Sequence, residues 1–305
     1  MTSLWSRRAV LTAACASVAG AALSACGSGS VASAIEPKRF LSVGDGFSDI
    51  GQKGHVFTVN DGSLLWTQQL ASYYGLSLAP ASAGGFSYAQ GHARVVAEDT
   101  SSGTNAPSVA SQIDTLLART TLVDDDLIIV TGGMSDIVAA VNATGISPAS
   151  TDAVKAAGKA LAEQVKRLVD AGGKYIVVSG VYNLGISPWA IRQDLVTGIQ
   201  DLSVAFNDQL LIGINPLGAN VLYFDAALFF NLIANKPSAY PFDVVDSPAC
   251  TTPDATTCTP STVVLGGNYN RFLFADDLYF SPAAQRLFVN DDYLENAYSR
   301  LKLRW

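Results

Sequence analysis

The chain has 305 residues and a formal net charge of −7 at pH 7, and 49% of its residues are hydrophobic. Because acidic residues outnumber basic ones, a basic face for nucleic acid is not expected. Once an N-terminal leader is set aside, the length lies at the upper end of what one domain with a single core holds.

The first 25 residues have the composition of an export signal. Arg7 and Arg8 precede a stretch rich in alanine, valine and leucine that ends in "LSAC" at Cys26. This ending resembles the bacterial lipobox, whose cysteine receives lipid and becomes the new N-terminus. We expect a lipoprotein signal over 1–25, a lipid anchor and a flexible tether over 26–38. An ordinary signal peptide with an unrelated cysteine is the alternative. The glycine after the cysteine favours the outer membrane, facing the periplasm or the cell surface.

Beyond the tether, strand-like apolar runs alternate with helical patterns. In chain order the strand and helix segments are "RFLSVGD" and "GSLLWTQQLASYYG", "DLIIVTGG" and "STDAVKAAGKALAEQVKRLVDAGG", "KYIVVSG" and "IRQDLVTGIQDLSVAFNDQLL", then "ANVLYFD" and "AALFFNLIA". Repeated strand–helix order predicts a parallel sheet with helices on both faces, and continuous apolar runs are typical of strands buried on both faces. We predict one three-layer α/β/α sandwich over 39–305, with ligands at the carboxyl ends of its strands.

Ordered motifs follow the predicted strands. "VGDGFSDIG" ends the first strand, "FSYAQGHARV" lies further on, "VTGGMSDI" ends the second strand, and "LFADDLYFSPAAQRL" lies near the C-terminus. In this order they resemble the blocks of the SGNH or GDSL esterase/lipase family, and "VYNLGISPWA" is similar to another segment of that family. The resemblance runs from about Phe40 to Trp305. It implies a flavodoxin-like α/β/α fold and the hydrolysis of carboxylic esters.

The resemblance also assigns roles to single positions. The nucleophilic serine of the first block corresponds to Gly46. In the last block the acid corresponds to Asp276 and the base histidine to Tyr279. The oxyanion donors correspond to Gly46, to Gly91 and, where the family has asparagine, to Ser135.

These replacements predict impaired chemistry. Acyl transfer by this route needs a nucleophile and a base that takes its proton. Glycine has no side chain, and a phenol with an ordinary pKa near 10 is protonated at neutral pH, so it is a poor base. Serine in place of asparagine also shortens one oxyanion donor.

Other residues are candidates to replace the missing groups. Ser48 could act as a nucleophile, although its ordinary role would be to cap a following helix, with Asp49 near the positive helix end. His92 is either a loop residue or a displaced base. A water molecule activated by Asp45 or Asp276 would hydrolyse an ester directly and slowly.

Two cysteines remain beyond the lipid anchor. Cys250 and Cys258 lie in the Pro/Thr-rich stretch "ACTTPDATTCTP", and in an exported chain this arrangement favours a disulfide. Free thiols and half a metal site are the alternatives, although zinc is not expected because only His55 and His92 are available as histidine ligands. Members of the resembled family often carry a cysteine pair here. We expect neither a metal nor a cofactor.

The sequence therefore supports three hypotheses. The leading one is an envelope-anchored member of the fold that binds an acyl ester, a lipid or an acylated glycan without hydrolysing it, or that serves an envelope assembly as a binding module. The second is an active esterase or lipase that uses displaced groups. The third is a structural envelope lipoprotein without a ligand, whose partner is another envelope protein.

Overall fold

The computed structural model describes residues 33–100, 102–290 and 296–305, which belong to one compact unit, Ser33–Trp305. The predicted signal and the predicted lipid anchor at Cys26 lie outside the described residues. The unit begins before the predicted domain start at 39, because the backbone N–H of Ala34 donates to the carbonyl of Trp305 at 3.0 Å and Ile35 is buried. The described end of the predicted tether therefore belongs to the folded unit.

A parallel four-stranded sheet forms the centre of the unit. Its strands pair in chain order: β1 (Arg39–Val43), β2 (Asp126–Thr131), β3 (Tyr175–Ser179) and β4 (Val221–Phe224). Every residue of β2 is buried, as a strand covered on both faces requires.

A further extended segment, residues 86–90, lies along the free side of β1. The N–H of Ser42 donates to the carbonyl of Phe86 at 3.1 Å, and the N–H of Tyr88 donates to the carbonyl of Ser42 at 2.7 Å. With this segment counted as an edge, the spatial order is that of a flavodoxin-like doubly wound sheet. Its reversal point, where such sheets bind ligands, lies between β1 and β2.

Helices cover both faces of the sheet, which confirms the predicted α/β/α architecture. In chain order the described helices are α1 (Trp66–Tyr73), α2 (Val109–Arg119), α3 (Met134–Thr144), α4 (Pro148–Asp170), α5 (Pro188–Arg192), α6 (Val196–Ile214), α7 (Ala226–Asn235), α8 (Pro282–Leu287) and α9 (Ala297–Arg304). One layer packs α2, α3 and α6 around the long α4, and on the other face α1 packs against α8. Within the described parts of the chain, no helix combines the length and the apolar character needed to cross a bilayer.

Local sequence accounts for where α4 begins and how it packs. Ser147 and Ser150 form a capping box at its N-terminus, with Pro148 at a position where no helical N–H is needed. Further along, Gly158 allows close approach to α6, because a Cβ there would lie 2.3 Å from the carbonyl oxygen of Phe206.

An aromatic cluster supports the loop that follows β1. Phe47 packs against Trp66 and Phe288, with ring centroids 5.4 and 5.1 Å away. The indole N–H of Trp66 donates to the carbonyl of Phe47 at 2.9 Å. Phe230 stacks on Phe280 at 3.7 Å. The loop that carries the first sequence motif is thereby fixed to the core.

A small second sheet positions the last motif. It pairs β5 (Val244–Pro248) with β6 (Phe272–Phe274), and Cys250 lies just after β5. The predicted disulfide is confirmed: Cys250 and Cys258 are bonded, with their Cα atoms 5.8 Å apart. The side chain of Asn60 donates to the carbonyls of Ala255 and Cys258 at 2.9 and 3.2 Å, which ties this loop to the first half of the chain.

Candidate functional site

The sequence motifs converge at the carboxyl ends of β1 and β2. The hydroxyl of Thr131, the last residue of β2, lies 3.1 Å from the hydroxyl of Ser48 and 3.4 Å from the carboxylate of Asp45. Residues from three motifs, His92, Ser135 and Tyr279, line one cavity near this edge. The fold thus brings the predicted site residues together at the edge where doubly wound sheets bind their ligands.

Tyr279 fills the space that a side chain at the nucleophile position would need. A Cβ built on Gly46 would lie 2.5 Å from the Tyr279 hydroxyl oxygen and 2.6 Å from the nearer ring carbon. These distances are shorter than any real contact of a Cβ. Gly46 and Tyr279 therefore form one coupled replacement: the absence of a side chain at one position accommodates the ring at the other.

The surroundings of Tyr279 keep its phenol protonated. Its side chain is 6% exposed, and its ring lies 4.7 Å from that of Phe57. Burial raises the pKa of Tyr279 well above 10, and the neighbouring carboxylates of Asp45 and Asp276 raise it further. The hydroxyl is therefore a hydrogen-bond donor at neutral pH and not a base.

Asp276, the residue at the position of the catalytic acid, is engaged by backbone groups. One of its carboxylate oxygens accepts from the N–H groups of Leu278 and Tyr279 at 2.9 and 2.7 Å, and the other accepts from Ala255 at 2.9 Å. Burial raises the pKa of Asp276, although these N–H groups oppose the rise. The carboxylate fixes the turn that carries Tyr279 and joins it to the disulfide loop. Its neighbour Asp277 forms an ion pair with Arg192.

Gly91, the position that the resemblance matches to an oxyanion donor, is also occupied. The N–H of Gly91 donates to a carboxylate oxygen of Asp49 at 2.8 Å. The ring of Phe57 covers the same residue, since a Cβ on Gly91 would lie 1.8 Å from a ring carbon. This donor is thus directed at a protein carboxylate and not at a ligand.

The expectation that Ser48 and Asp49 begin a helix is wrong. The chain forms turns after β1, and the next helix begins at Trp66. The second carboxylate oxygen of Asp49 accepts from the N–H groups of Gly51 and Gln52, both at 2.9 Å. A short loop closed by the Asp49 carboxylate therefore stands where the helix was expected.

Two of the substitute groups are enclosed. Ser48 is 0% exposed, and its hydroxyl is bonded to that of Thr131, so it is not placed to attack a ligand. Asp45 is 2% exposed and accepts from the N–H of Phe47 at 3.2 Å. Burial raises the pKa of Asp45 to about 6. Its carboxylate lies in the interior and does not line the cavity that His92 and Tyr279 share.

The third substitute, His92, does reach open space. It lines the cavity, and its ring lies 5.4 Å from that of Phe57. The cavity has a volume of about 130 Å³. Its polar lining consists of His92, Arg94, Asp99, Ser135 and Tyr279, and its apolar lining of Met134, Val138, Ala139 and Leu278.

The charges of this cavity are partly paired. Arg94 approaches Asp136 with its Nε 3.4 Å from a carboxylate oxygen, and the other oxygen of Asp136 accepts from the N–H of Val95 at 2.9 Å. Burial raises the pKa of Asp136 to about 6, while Arg94 opposes the rise. Asp99 is bonded to Ser102 and Thr104. Asp136, the aspartate of the motif "VTGGMSDI", is therefore engaged by Val95 and by the cavity residue Arg94.

The arrangement holds a ligand-sized space but no nucleophile paired with a base. His92 and Ser135 line the same cavity without a hydrogen bond between them. The described residues contain no group of three His, Cys, Asp or Glu side chains arranged to hold a metal ion. A larger groove of about 540 Å³ lies beside α6 and β4, and none of the motif residues line it.

Two residues that define the site were not among the predicted ones. Phe57 and Asp49 together close off Gly91, one by covering it and the other by accepting its N–H. Asp49 lies within the quoted first motif, but its partner is distant in sequence. Phe57 lies in no motif, so no local pattern indicated its position.

No protein-family model matches the chain, and no curated protein matches it in sequence. Among solved structures, one crystal structure matches with 16% identity and a TM-score of 0.44, over 88% of this chain and 94% of its own. Another, Est24, a carbohydrate acetylesterase from Sinorhizobium meliloti, matches with 12% identity and a TM-score of 0.41, over 66% of this chain and 99% of its own.

Proposed function

We propose that this protein is a non-hydrolytic member of an esterase-type α/β/α fold that binds a short acyl ester, such as one carried by an acylated glycan. The order of its motifs and the flavodoxin-like sheet support the fold assignment, and the cavity beside those motifs supports ligand binding. The protein acts as a binding module in the bacterial envelope.

A single observation carries the absence of hydrolysis: the Tyr279 phenol stands in the space of the nucleophile beside Gly46. Loss of one member of a catalytic triad alone lowers turnover by as much as about a millionfold. Here the engagement of Gly91 by Asp49 removes an oxyanion donor as well, and loss of one such donor lowers turnover by about 100- to 1,000-fold.

The size of the cavity favours a short acyl group over a long lipid chain. Ligand sites for larger molecules usually measure roughly 300–1,000 Å³, and an apolar cavity of about 150 Å³ holds a molecule the size of benzene. The cavity here measures about 130 Å³, which is close to the size that holds a benzene-sized molecule. An acetyl group fits it, with the rest of the ligand outside.

The N-terminal sequence supports the proposed location. The lipobox-like "LSAC" supports a lipid anchor at Cys26, in the outer membrane facing the periplasm or the cell surface. A protein partner in an envelope assembly is compatible with this location. Metabolic labelling with an alkyne fatty acid, comparing the natural chain with Cys26→Ser, tests the anchor; equal labelling of both chains would contradict it.

Turnover of chromogenic acetyl and butyryl esters tests the absence of hydrolysis. The full chain in detergent is compared with Asp276→Ala and with Gly46→Ser/Tyr279→His, and an esterase with an intact triad serves as the assay control. We expect the natural chain to give no more turnover than Asp276→Ala. Because Asp49 and Phe57 still close off Gly91, we expect the double variant to stay inactive too. Turnover by the natural chain that is lost in Asp276→Ala would overturn the proposal.

A further inference from the structure

We propose that Tyr279 is the ligand-binding residue of the cavity: its hydroxyl donates a hydrogen bond to the carbonyl oxygen of a short neutral acyl group, carried as an ester or an N-acetyl group, and the site rejects the corresponding free carboxylate. This inference rests on the proposed function and specifies the chemistry of its ligand.

The first observation is an unpartnered donor. Tyr279 is 6% exposed, yet no group of the described chain forms a hydrogen bond with its hydroxyl. The described side-chain atoms that are fully enclosed without a partner are the hydroxyls of Ser42, Thr67 and Ser87. The Tyr279 hydroxyl is not one of them, so it remains accessible from open space.

The second observation is that this donor lies beside another unused one. The backbone N–H of Gly46 has no acceptor among the described residues, and the Tyr279 hydroxyl stands next to the same residue. A carbonyl oxygen, with two lone pairs, is the acceptor that such a donor-rich position lacks.

The charges around the cavity favour a neutral ligand. Asp99 lines it, Asp136 pairs with the lining residue Arg94, and Asp45 is close enough to Tyr279 to raise the pKa of that phenol. The one guanidinium in the lining, Arg94, is already shared with Asp136. A free carboxylate would enter a site with more acidic than basic groups, whereas an ester or an amide carries no charge.

The apolar part of the lining supplies the other half of the recognition. Met134, Val138, Ala139 and Leu278 line the cavity that Tyr279 also lines. A methyl or ethyl group packed against these side chains is removed from water, which favours its binding. A carbonyl next to a short alkyl group, which is an acetyl or propionyl group, matches both halves.

Ligand-detected NMR on the full chain in detergent tests the inference. The probes are methyl acetate, N-acetylglucosamine with glucosamine as its matched control, sodium acetate and a hexanoyl ester. We expect saturation transfer to the acetyl methyl of the ester or of the N-acetyl sugar, and none to acetate or glucosamine. Whichever acetyl probe responds identifies the linkage.

Tyr279→Phe removes only the hydroxyl. We expect it to weaken binding of the acetyl probe by at least about tenfold, equivalent to about 1.4 kcal/mol. Tyr88→Phe is the matched control, because Tyr88 is also buried but its hydroxyl is bonded to Arg119; it should bind as the natural chain does. Equal binding by Tyr279→Phe, binding of acetate, or no binding of either acetyl probe would overturn the inference.

The same data separate this inference from the proposed function. If the hexanoyl ester binds and the acetyl probes do not, the ligand is still an acyl ester but the small-group assignment is wrong. If an ester is consumed during the experiment, the absence of hydrolysis itself is wrong.

Discussion

The Tyr279 hydroxyl oxygen lies 2.5 Å from the point where a Cβ on Gly46 would stand. Since the Tyr279 ring is held by Phe57 and is almost fully buried, it cannot swing into solvent to make room. The two positions are therefore mutually dependent, and their energies should not add in mutational experiments.

A double-mutant cycle measures this dependence. We expect Gly46→Ala to lower the free energy of unfolding by about 1–3 kcal/mol, because the added methyl overpacks the interior. In a Tyr279→Ala background the same change should cost almost nothing. Chemical denaturation of the four proteins gives the coupling. Gly132→Ala is the control, since its Cβ would meet only ordinary contacts from 3.4 Å. Additive losses would contradict the dependence.

Tyr182 and Tyr279 should respond differently to the loss of their hydroxyls. Tyr182 donates to the carbonyl of Leu278 at 2.7 Å, so Tyr182→Phe strands a buried acceptor and should cost about 1–3 kcal/mol. Tyr279→Phe removes a hydroxyl that has no protein partner and should leave the ligand-free protein equally stable or more stable. Thermal melts of both variants test this contrast. A Tyr279→Phe protein that is as unstable as Tyr182→Phe would show that its hydroxyl has a partner in the native state.

Reduction of the disulfide should destabilise the protein. A loop of this length closed by a disulfide contributes about 2–3 kcal/mol by the chain-entropy model. We therefore expect Cys250→Ala/Cys258→Ala to melt at a lower temperature than the natural chain. In reducing agent, the natural chain should melt at the same temperature as the double variant. An unchanged melting temperature under reduction would mean that Asn60 and Asp276 alone hold the loop.

Two buried carboxylates should destabilise the fold less as the pH falls toward 4. Burial raises the pKa of Asp45 and of Asp136 to about 6, from an ordinary 3.8. The folded state thus binds protons more tightly than the unfolded state, so each group destabilises the fold above pH 6, and that loss is recovered as the pH falls from about 6 to about 4.

Asp45→Asn isolates one of these contributions. Relative to the natural chain, the variant should gain on the order of 1–3 kcal/mol between pH 4 and pH 7.5, as the native carboxylate ionises and the amide does not. Urea denaturation across this pH range provides the measurement. A difference between the two proteins that does not change with pH would argue against a raised pKa at Asp45.

The fold could be predicted from sequence because its signals are local. The apolar run "DLIIVT" forms β2, which is buried throughout. The two long helical patterns that follow it in the sequence form α4 and α6. The segment at 86–90 was not predicted as a sheet edge, because its pairing to β1 rests on a few backbone bonds and not on a run of apolar residues. The disulfide could be predicted because only two cysteines remained.

The site could be predicted only in outline. The motifs identified Gly46, Gly91, Asp276 and Tyr279 as positions that lie close together, but not how each one is occupied. The hydrogen bond from the N–H of Gly91 to Asp49 depends on the path of the turn after β1. The sequence predicted a helix in place of that turn. Such contacts are set by tertiary packing, which no spacing along the chain encodes.

The mutual exclusion of Gly46 and Tyr279 also imposes an order on mutations. A serine introduced first would meet a fixed ring and would lower stability before it could help a reaction. A smaller residue at 279 must therefore come before or together with a side chain at 46, and release of Gly91 from Asp49 is a separate later change. Selection for hydrolysis from single substitutions would thus find no improving first step at position 46, and a library meant to create this activity has to vary position 279 as well as position 46 and must also release Gly91.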